Sequence, residues 1–557
     1  MVKKSEIAST ASESPSALSP LVGINQQDLM AAAGSILSGA IRHPFTVMKH
    51  GGALGRGMAD VLLGLDDKKP NPKDRRFADP AWTGSPLHRR LFQAWETLAD
   101  QADALVDDFG FEGSEKTRTQ IVTRIFTDAL APSNTLLNPA ALKQAIDTGG
   151  ASLLNGASNL VSDVRTNGML PRMVDTEPFK VGENVASTPG SVVYRTDMLE
   201  LIQYTPQTPK VYARPLLFIP PQINKFYVLD LSPEKSLVKY LVSQGHQIFV
   251  ASWRNPQPEH RDWGLGDYVT ELDQAVDAIL KITKSDSLNV SGGCSGGITQ
   301  AAFLSHLATK NDKRVNSATF WVCVLDPQPD DSDLGSLISP SSIEIARNRS
   351  KSKGVLTGRD LSTIFAWLRP NDLIWNYVVN NYLMGRKPPA FDVLFWNQDS
   401  TNLSAQLHSD YLDLYIKRPF VNPGSMDLLD QPLDISQVDM DAFIVAGTTD
   451  HITPWKACYR TTTMLPGNIE FVLSNSGHIQ SILNPPENPK AKYFTNPDLS
   501  GDADEWLEGA EAVNESWWVR WLGWLNERSG EQVPAPKKAG DRKYRVIEAA
   551  PGSYVFD

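Results

Sequence analysis

Cysteine is almost missing from this 557-residue chain: only Cys294, Cys323 and Cys458 occur. An odd trio without metal-like spacing excludes a disulfide framework and a cysteine-held metal, and it fits a reducing cytoplasm. Long apolar runs are missing too. No stretch of about 18 apolar residues occurs, which excludes a membrane-spanning helix. Lys3 and Lys4 are followed by a polar run rich in Ser and Ala, so no secretion signal is expected. Positive charge is in deficit, with 53 Lys and Arg against 64 Asp and Glu and a net charge of -11. That balance argues against nucleic acid as a partner, and any anionic ligand must be met by a local basic site. Material for a core is plentiful. The 41% hydrophobic and 21% charged content is that of an ordinary globular protein, and 557 residues exceed one usual core, so two or three lobes are expected.

The most informative stretch runs from Leu288 to Gln300: a short β-run, the turn Gly292-Gly293-Cys294-Ser295-Gly296-Gly297, and the opening of a helix over Ile298–Leu307. It is similar to the G-x-S-x-G nucleophile elbow of α/β hydrolases, with Cys294 where the serine stands and Gly292 and Gly296 where a Cβ would clash. A helix N-terminus aimed at the sulfur favours a thiolate and, later, an oxyanion. Cysteine in place of serine suggests thioester chemistry. The bland alternative is a buried, inert thiol in a glycine-rich turn.

Residues 1–25 are Ser, Ala, Glu and Pro with little to bury and read as a disordered tail. A helical N-terminal domain is expected over 26–175, where Leu29–Leu65 and Pro86–Val106 carry helical patterns around the charged and aromatic run Asp74–Trp82. The small residues of the first stretch are either simple packing or an amphipathic surface that touches a hydrophobic body. From 176 to 557 short β-runs alternate with helices, the signature of a parallel sheet with crossover helices. Val192–Tyr204 resembles a hairpin, and the runs after it are Pro215–Ile219, Gln247–Ser252, Leu288–Val290, Ser317–Leu325, Asp441–Ala446 and Ile469–Ser474. Alternation lapses at about 326–437, a mostly helical, aromatic insertion expected to cap the site. Trp517, Trp518, Trp521 and Trp524, at helical spacing, read as core.

Chain order then selects the catalytic residues. Hydrolase triads run nucleophile, acid, histidine, with the last two on loops after late strands, and Cys294, Asp450 and His478 obey that order. Of the later histidines, His306 lies in the helix after the elbow, His408 lies in the insertion, and His451 adjoins the acid, so His478, after Ser-Gly at a strand end, is the expected base. The oxyanion donors expected are the backbone N–H of Ser295 and one from the Gln222 and Ile223 region of the loop 220–227, assigned to Ile223.

At these residues the sequence resembles the polyhydroxyalkanoate synthases, and among them the class II, medium-chain enzymes. The similarity is carried by PPQINKFYVLDLSPEKSLVKYLVSQGHQIFVASWRNP from Pro220, GGCSGG from Gly292, GVLTGRDLSTIFAWLRPNDLIWNY from Gly354, GTTDHITPW from Gly447 and SNSGHIQSILNPP from Ser474. One mild departure is Gly293, where many relatives carry a side chain. The resemblance implies an α/β-hydrolase fold with a helical cap and a cytoplasmic, granule-associated homodimer. It implies an acyltransferase that polymerises (R)-3-hydroxyacyl-CoA into polyester with release of CoA. No cofactor and no metal are expected, CoA being the leaving group. Asp450 would either orient His478 or help deprotonate the attacking 3-hydroxyl. A cysteine-dependent thioesterase or polyester hydrolase is the alternative on the same fold, and a non-enzymatic granule coat protein fails to account for three ordered catalytic residues.

Overall fold

The computed structural model describes residues 26–167, 170–328, 331, 338, 340–368 and 370–557. The expected tail over 1–25 lies outside them. The described residues form two compact units, one made of Glu177–Leu361 with Asp392–Asp557, the other of residues 26–176 with Ser362–Phe391.

The second unit is helical: α1 (Gln26–Arg42), α2 (Pro44–Leu63), α3 (Pro86–Asp108), α4 (Gly113–Ala129), α5 (Pro139–Asp147) and α6 (Ala151–Thr166). Pro44 and Pro86 sit at first helical positions, where a missing N–H does no harm. The break at His43 and Pro44 therefore splits the single helical pattern of Leu29–Leu65 into two helices. Phe77, Trp82, Phe92 and Ala131 form a small core, with Phe77 about edge-on to Trp82 and Phe92 at 5.0 and 4.9 Å. Met30, Leu37, Ile41, Phe45 and Met48 remain exposed, Phe45 at 84%. Residues 362–391, which the sequence places inside the insertion, cluster with these helices. The reason is a backbone contact: a Cβ on Gly156 of α6 would stand 1.8 Å from the carbonyl oxygen of Tyr382. Around it, Tyr382 donates its hydroxyl to Asp163 at 2.9 Å and Asn159 donates to the Asn381 carbonyl at 3.0 Å.

The first unit is built on an eleven-stranded sheet. Its strands are β1 (Gly190–Arg195), β2 (Leu199–Tyr204), β3 (Leu216–Ile219), β4 (Ile248–Trp253), β5 (Leu288–Gly293), β6 (Val315–Trp321), β7 (Asp441–Gly447), β8 (Ile469–Ser474), β9 (Tyr493–Thr495), β10 (Glu511–Val513) and β11 (Glu548–Ala549). The spatial order is β10-β9-β8-β7-β6-β5-β3-β4-β2-β1-β11. Strands β3 to β8 are mutually parallel and β1, β2, β9, β10 and β11 extend the sheet antiparallel. The parallel strands are continuous apolar runs because helices cover both faces. Those helices include α7 (Leu237–Ser243), α8 (Leu265–Thr283) and α9 (Ser295–Thr309); the insertion contributes α10 (Pro340–Lys353) and α11 (Ala405–Lys417), and α12 (His478–Ile482) and α13 (Trp517–Arg528) follow it. This is the α/β-hydrolase fold with a helical insertion between β6 and β7.

Strand β6 ends at Trp321, four residues before the expected end. Val322 has φ +43°, a rare conformation for a β-branched residue, and its N–H turns to the Val445 carbonyl at 2.7 Å. Trp517, Trp518, Trp521 and Trp524 are all buried, as core residues should be. Their indole N–H groups also work: Trp517 and Trp518 donate to the carbonyls of Ser481 and Ile482, 2.6 and 3.0 Å away, which anchors α12.

Candidate active site

Cys294 stands at the junction of β5 and α9 with φ +49° and ψ −126°. The turn is held by its N–H, which reaches the Trp321 carbonyl at 2.9 Å, and by its own carbonyl, which accepts from Gly297 at 3.0 Å. Glycine is obligatory at Gly296, where a Cβ would stand 2.2 Å from the Ile219 carbonyl oxygen. At Gly293 the nearest atom would be 3.4 Å away, ordinary contact, so the residue that departs from the motif of similar sequences is the one glycine of the turn with room for a side chain. Cys294 is partly exposed, whereas Cys323 and Cys458 are buried and burial pushes both thiols up.

His478 opens α12 after β8, and Asp450 follows β7. The structure brings them together: His478 Nδ1 lies 2.7 Å from Asp450 Oδ2. Burial disfavours the charged ring, but the Asp450 carboxylate and the neighbouring Cys294 sulfur outweigh it and raise the imidazole above its ordinary value. Nδ1 is held by the carboxylate, so Nε2 is the atom turned to the thiol. Burial likewise pushes the Asp450 carboxyl up, and His478 with the donors around it holds it below the usual carboxylate range. Those donors are the N–H groups of Ile452 and Thr453 on Oδ1, at 2.8 and 2.9 Å, and the Thr453 hydroxyl on Oδ2 at 2.6 Å. His451 is half-buried. His306 and His408 are buried on α9 and α11.

Across the elbow, the loop after β3 presents Gln222 and Ile223. The Gln222 N–H is bonded to Ser295 Oγ at 3.2 Å, so Ile223 carries the next amide along the loop. The Ser295 amide opens α9 immediately after the nucleophile. The arrangement supplies a thiol, a base oriented by a buried acid, and two loops of backbone donors, the parts that acyl transfer requires.

Comparison with known proteins adds what geometry alone does not. The family described as "Poly-beta-hydroxybutyrate polymerase (PhaC) N-terminus" matches residues 73–241, and the α/β-hydrolase fold family matches 215–485. Poly(3-hydroxyalkanoate) polymerase 1 of Ectopseudomonas oleovorans is 47% identical over 99% of this chain and 99% of its own. The chain belongs to the poly(3-hydroxyalkanoate) polymerase family. Polymerase 2 of the same organism is 45% identical over 96% of each chain, and the PhaC polymerase subunit of Cupriavidus necator is 38% identical over 91% of this chain and 87% of its own. Family membership rests on the whole length and not on the elbow alone. No helix among the described residues is long and apolar enough to cross a membrane.

Two residues of the site, and the side-chain bonding of a third, escaped the sequence. Thr453 supports the acid, Tyr411 on α11 touches Gln222, and the Gln222 side chain reaches α9. Thr453 had a signal, because an Asp followed three residues later by Thr at a strand end is a common side-chain-to-backbone turn. Tyr411 had none, being 189 residues from its partner.

Proposed function

We propose that the chain polymerises (R)-3-hydroxyacyl groups, delivered as CoA thioesters, through an acyl-enzyme on Cys294. The observation that carries this reading is a cysteine on a strained elbow facing a histidine whose other nitrogen is fixed by a buried carboxylate. In the first half-reaction His478 Nε2 takes the thiol proton and Cys294 Sγ attacks the thioester carbonyl. The carbonyl electrons move to oxygen, where the Ser295 and Ile223 N–H groups hold the charge, and on collapse the C–S bond to CoA breaks and the CoA sulfur takes the proton from His478. In the second, His478 accepts the proton of a 3-hydroxyl, the hydroxyl oxygen bonds to the acyl carbon, and Cys294 leaves and recovers its proton. Thioester exchange changes little in energy and ester formation then drains the intermediate. The sequence of proton transfer and displacement requires no cofactor beyond the CoA that leaves.

The saturation of Asp450 supports an orienting role. Both its oxygens already accept two donors each and the residue is 2% exposed, which leaves no acceptor for a substrate hydroxyl. One base then serves both half-reactions. The motif stretches shared with class II synthases, including Ser476 and Gln480 beside His478, support a medium-chain acyl group. The exposed apolar side chains Leu37, Ile41, Phe45 and Met48 of α1 and α2 support attachment to the polyester granule in the cytoplasm, and the family resemblance supports a homodimer.

The test is purified protein with a panel of (R)-3-hydroxyacyl-CoA lengths. Wild type is expected to release CoA and precipitate polymer, fastest with eight- or ten-carbon acids, while Cys294→Ala loses CoA release and covalent acyl labelling together. Free hydroxy acid in place of polymer would make the protein a thioesterase.

A further inference from the structure

Gln222, beside the nucleophile, makes four hydrogen bonds. Its N–H meets Ser295 Oγ at 3.2 Å, its carbonyl accepts the Thr401 hydroxyl at 2.5 Å, its Nε2 donates to Thr299 Oγ1 at 3.0 Å, and its Oε1 accepts the Tyr411 hydroxyl at 2.9 Å. Thr299 passes the chain on to the Ser295 carbonyl at 3.2 Å. The segment 396–411 also grips the neighbours of Gln222: Thr401 N–H donates to the Ile223 carbonyl at 3.2 Å, Asn224 pairs with Ser400 as an isolated antiparallel bridge, and Trp396 donates its indole N–H to the Lys225 carbonyl at 2.7 Å. Thr401 and Tyr411 belong to the insertion, whereas Thr299 and Ser295 belong to the elbow helix. The backbone that carries the Ile223 N–H is thus suspended between the two.

We infer that Tyr411 is a positioning residue for the oxyanion hole: through Gln222 it sets the aim of the Ile223 amide, so that the insertion is part of the machinery that stabilises the tetrahedral intermediate. The inference rests on the acyl-enzyme reading above. Tyr411 is 3% exposed, and burial raises its phenol, which keeps it a donor. In the arrangement found, the Gln222 amide turns its oxygen to Tyr411 and its nitrogen to Thr299, and the Tyr411 hydroxyl also lies 3.5 Å from Thr299 Oγ1. Without it, Oε1 is left buried and unpaired, the amide is free to turn, and the loop loses its reference to the insertion. Oxyanion donors act only when aimed at where the charge forms, and losing one lowers kcat by about 10²- to 10³-fold.

The experiment compares wild type with Tyr411→Phe, which removes one oxygen and no volume, and with Gln222→Met, which removes the partner. Two ligands separate positioning from damage. A 3-hydroxyacyl trifluoromethyl ketone adds the Cys294 sulfur to its carbonyl, the carbonyl electrons going to oxygen and the thiol proton to His478, and so mimics the oxyanion. The matching carbinol lacks the carbonyl and reports only the pocket. Expected are a kcat for CoA release lower by about tenfold or more at unchanged KM, an unmoved pH profile, tenfold weaker ketone binding, and unchanged carbinol binding, with the double variant no worse than the worse single. Equal weakening of ketone and carbinol, or unchanged kcat and ketone affinity, overturns the inference. Failure of the ketone to label Cys294 in wild type would instead overturn the acyl-enzyme reading beneath it.

Discussion

Asp450 shows what a single residue's hydrogen bonds decide. On the proposed orienting role, a carboxylate with four donors and 2% exposure works only through its neighbour, so Asp450→Asn is expected to slow acylation and elongation alike, by about 10³- to 10⁴-fold. The pH profile gives a second readout with a definite sign. The negative charge of Asp450 raises the proton affinity of His478, so a neutral Asn lowers it, and the acid limb of kcat/KM should move to lower pH. A variant that acylates normally and fails only in elongation would return the carboxylate to the hydroxyl. At this scale the meeting of Asp450 with His478 beside Cys294 was legible because three residue types in a fixed chain order, each at a strand end, leave few assignments. Thr453 and Tyr411 were not, since an ordinary threonine and an ordinary helix tyrosine acquire their roles only when the loops meet.

Among the elements, β7 and α12 hold the acid and the base in register. A Cβ on Gly447, the last residue of β7, would stand 2.4 Å from Ser481 Oγ and 2.5 Å from the Ser476 carbonyl oxygen, so the strand end packs against a side chain of the histidine helix and against the backbone of the turn that leads into it. Gly447→Ala should push α12 outward, and because displacements of about 1 Å cost about 10²-fold in rate, kcat is expected to fall to that degree with CoA affinity retained, as steady-state kinetics would reveal. An unimpaired kcat would mean that α12 yields freely, against the two indole anchors from α13. The parallel strands were legible as apolar runs, and their ends largely so. The short strands β9, β10 and β11 were not, because two or three residues have no periodicity, and the early end of β6 depends on a positive φ at valine that no local preference foretells.

For the molecule as a whole, the exposed apolar side chains on α1 and α2 are the feature that water should not favour. Each large apolar side chain moved from water to an apolar surface contributes about 1.5–3 kcal/mol, so replacing Ile41, Phe45 and Met48 by serine is expected to weaken sedimentation with preformed polyester granules by more than about 10²-fold while CoA release in solution persists. Undiminished sedimentation would place the attachment elsewhere. The division between helical and sheet-bearing parts was legible from the change of pattern near residue 175. The membership of residues 362–391 was not, because it is fixed by the close approach of Gly156 to Tyr382, a meeting of positions far apart in the chain. That approach governs how the gene can be recombined. A crossover at codon 176 separates Asn159 and Asp163 from the strap they bond, so a hybrid of two relatives inherits a matched pair of surfaces only when both stretches come from the same parent.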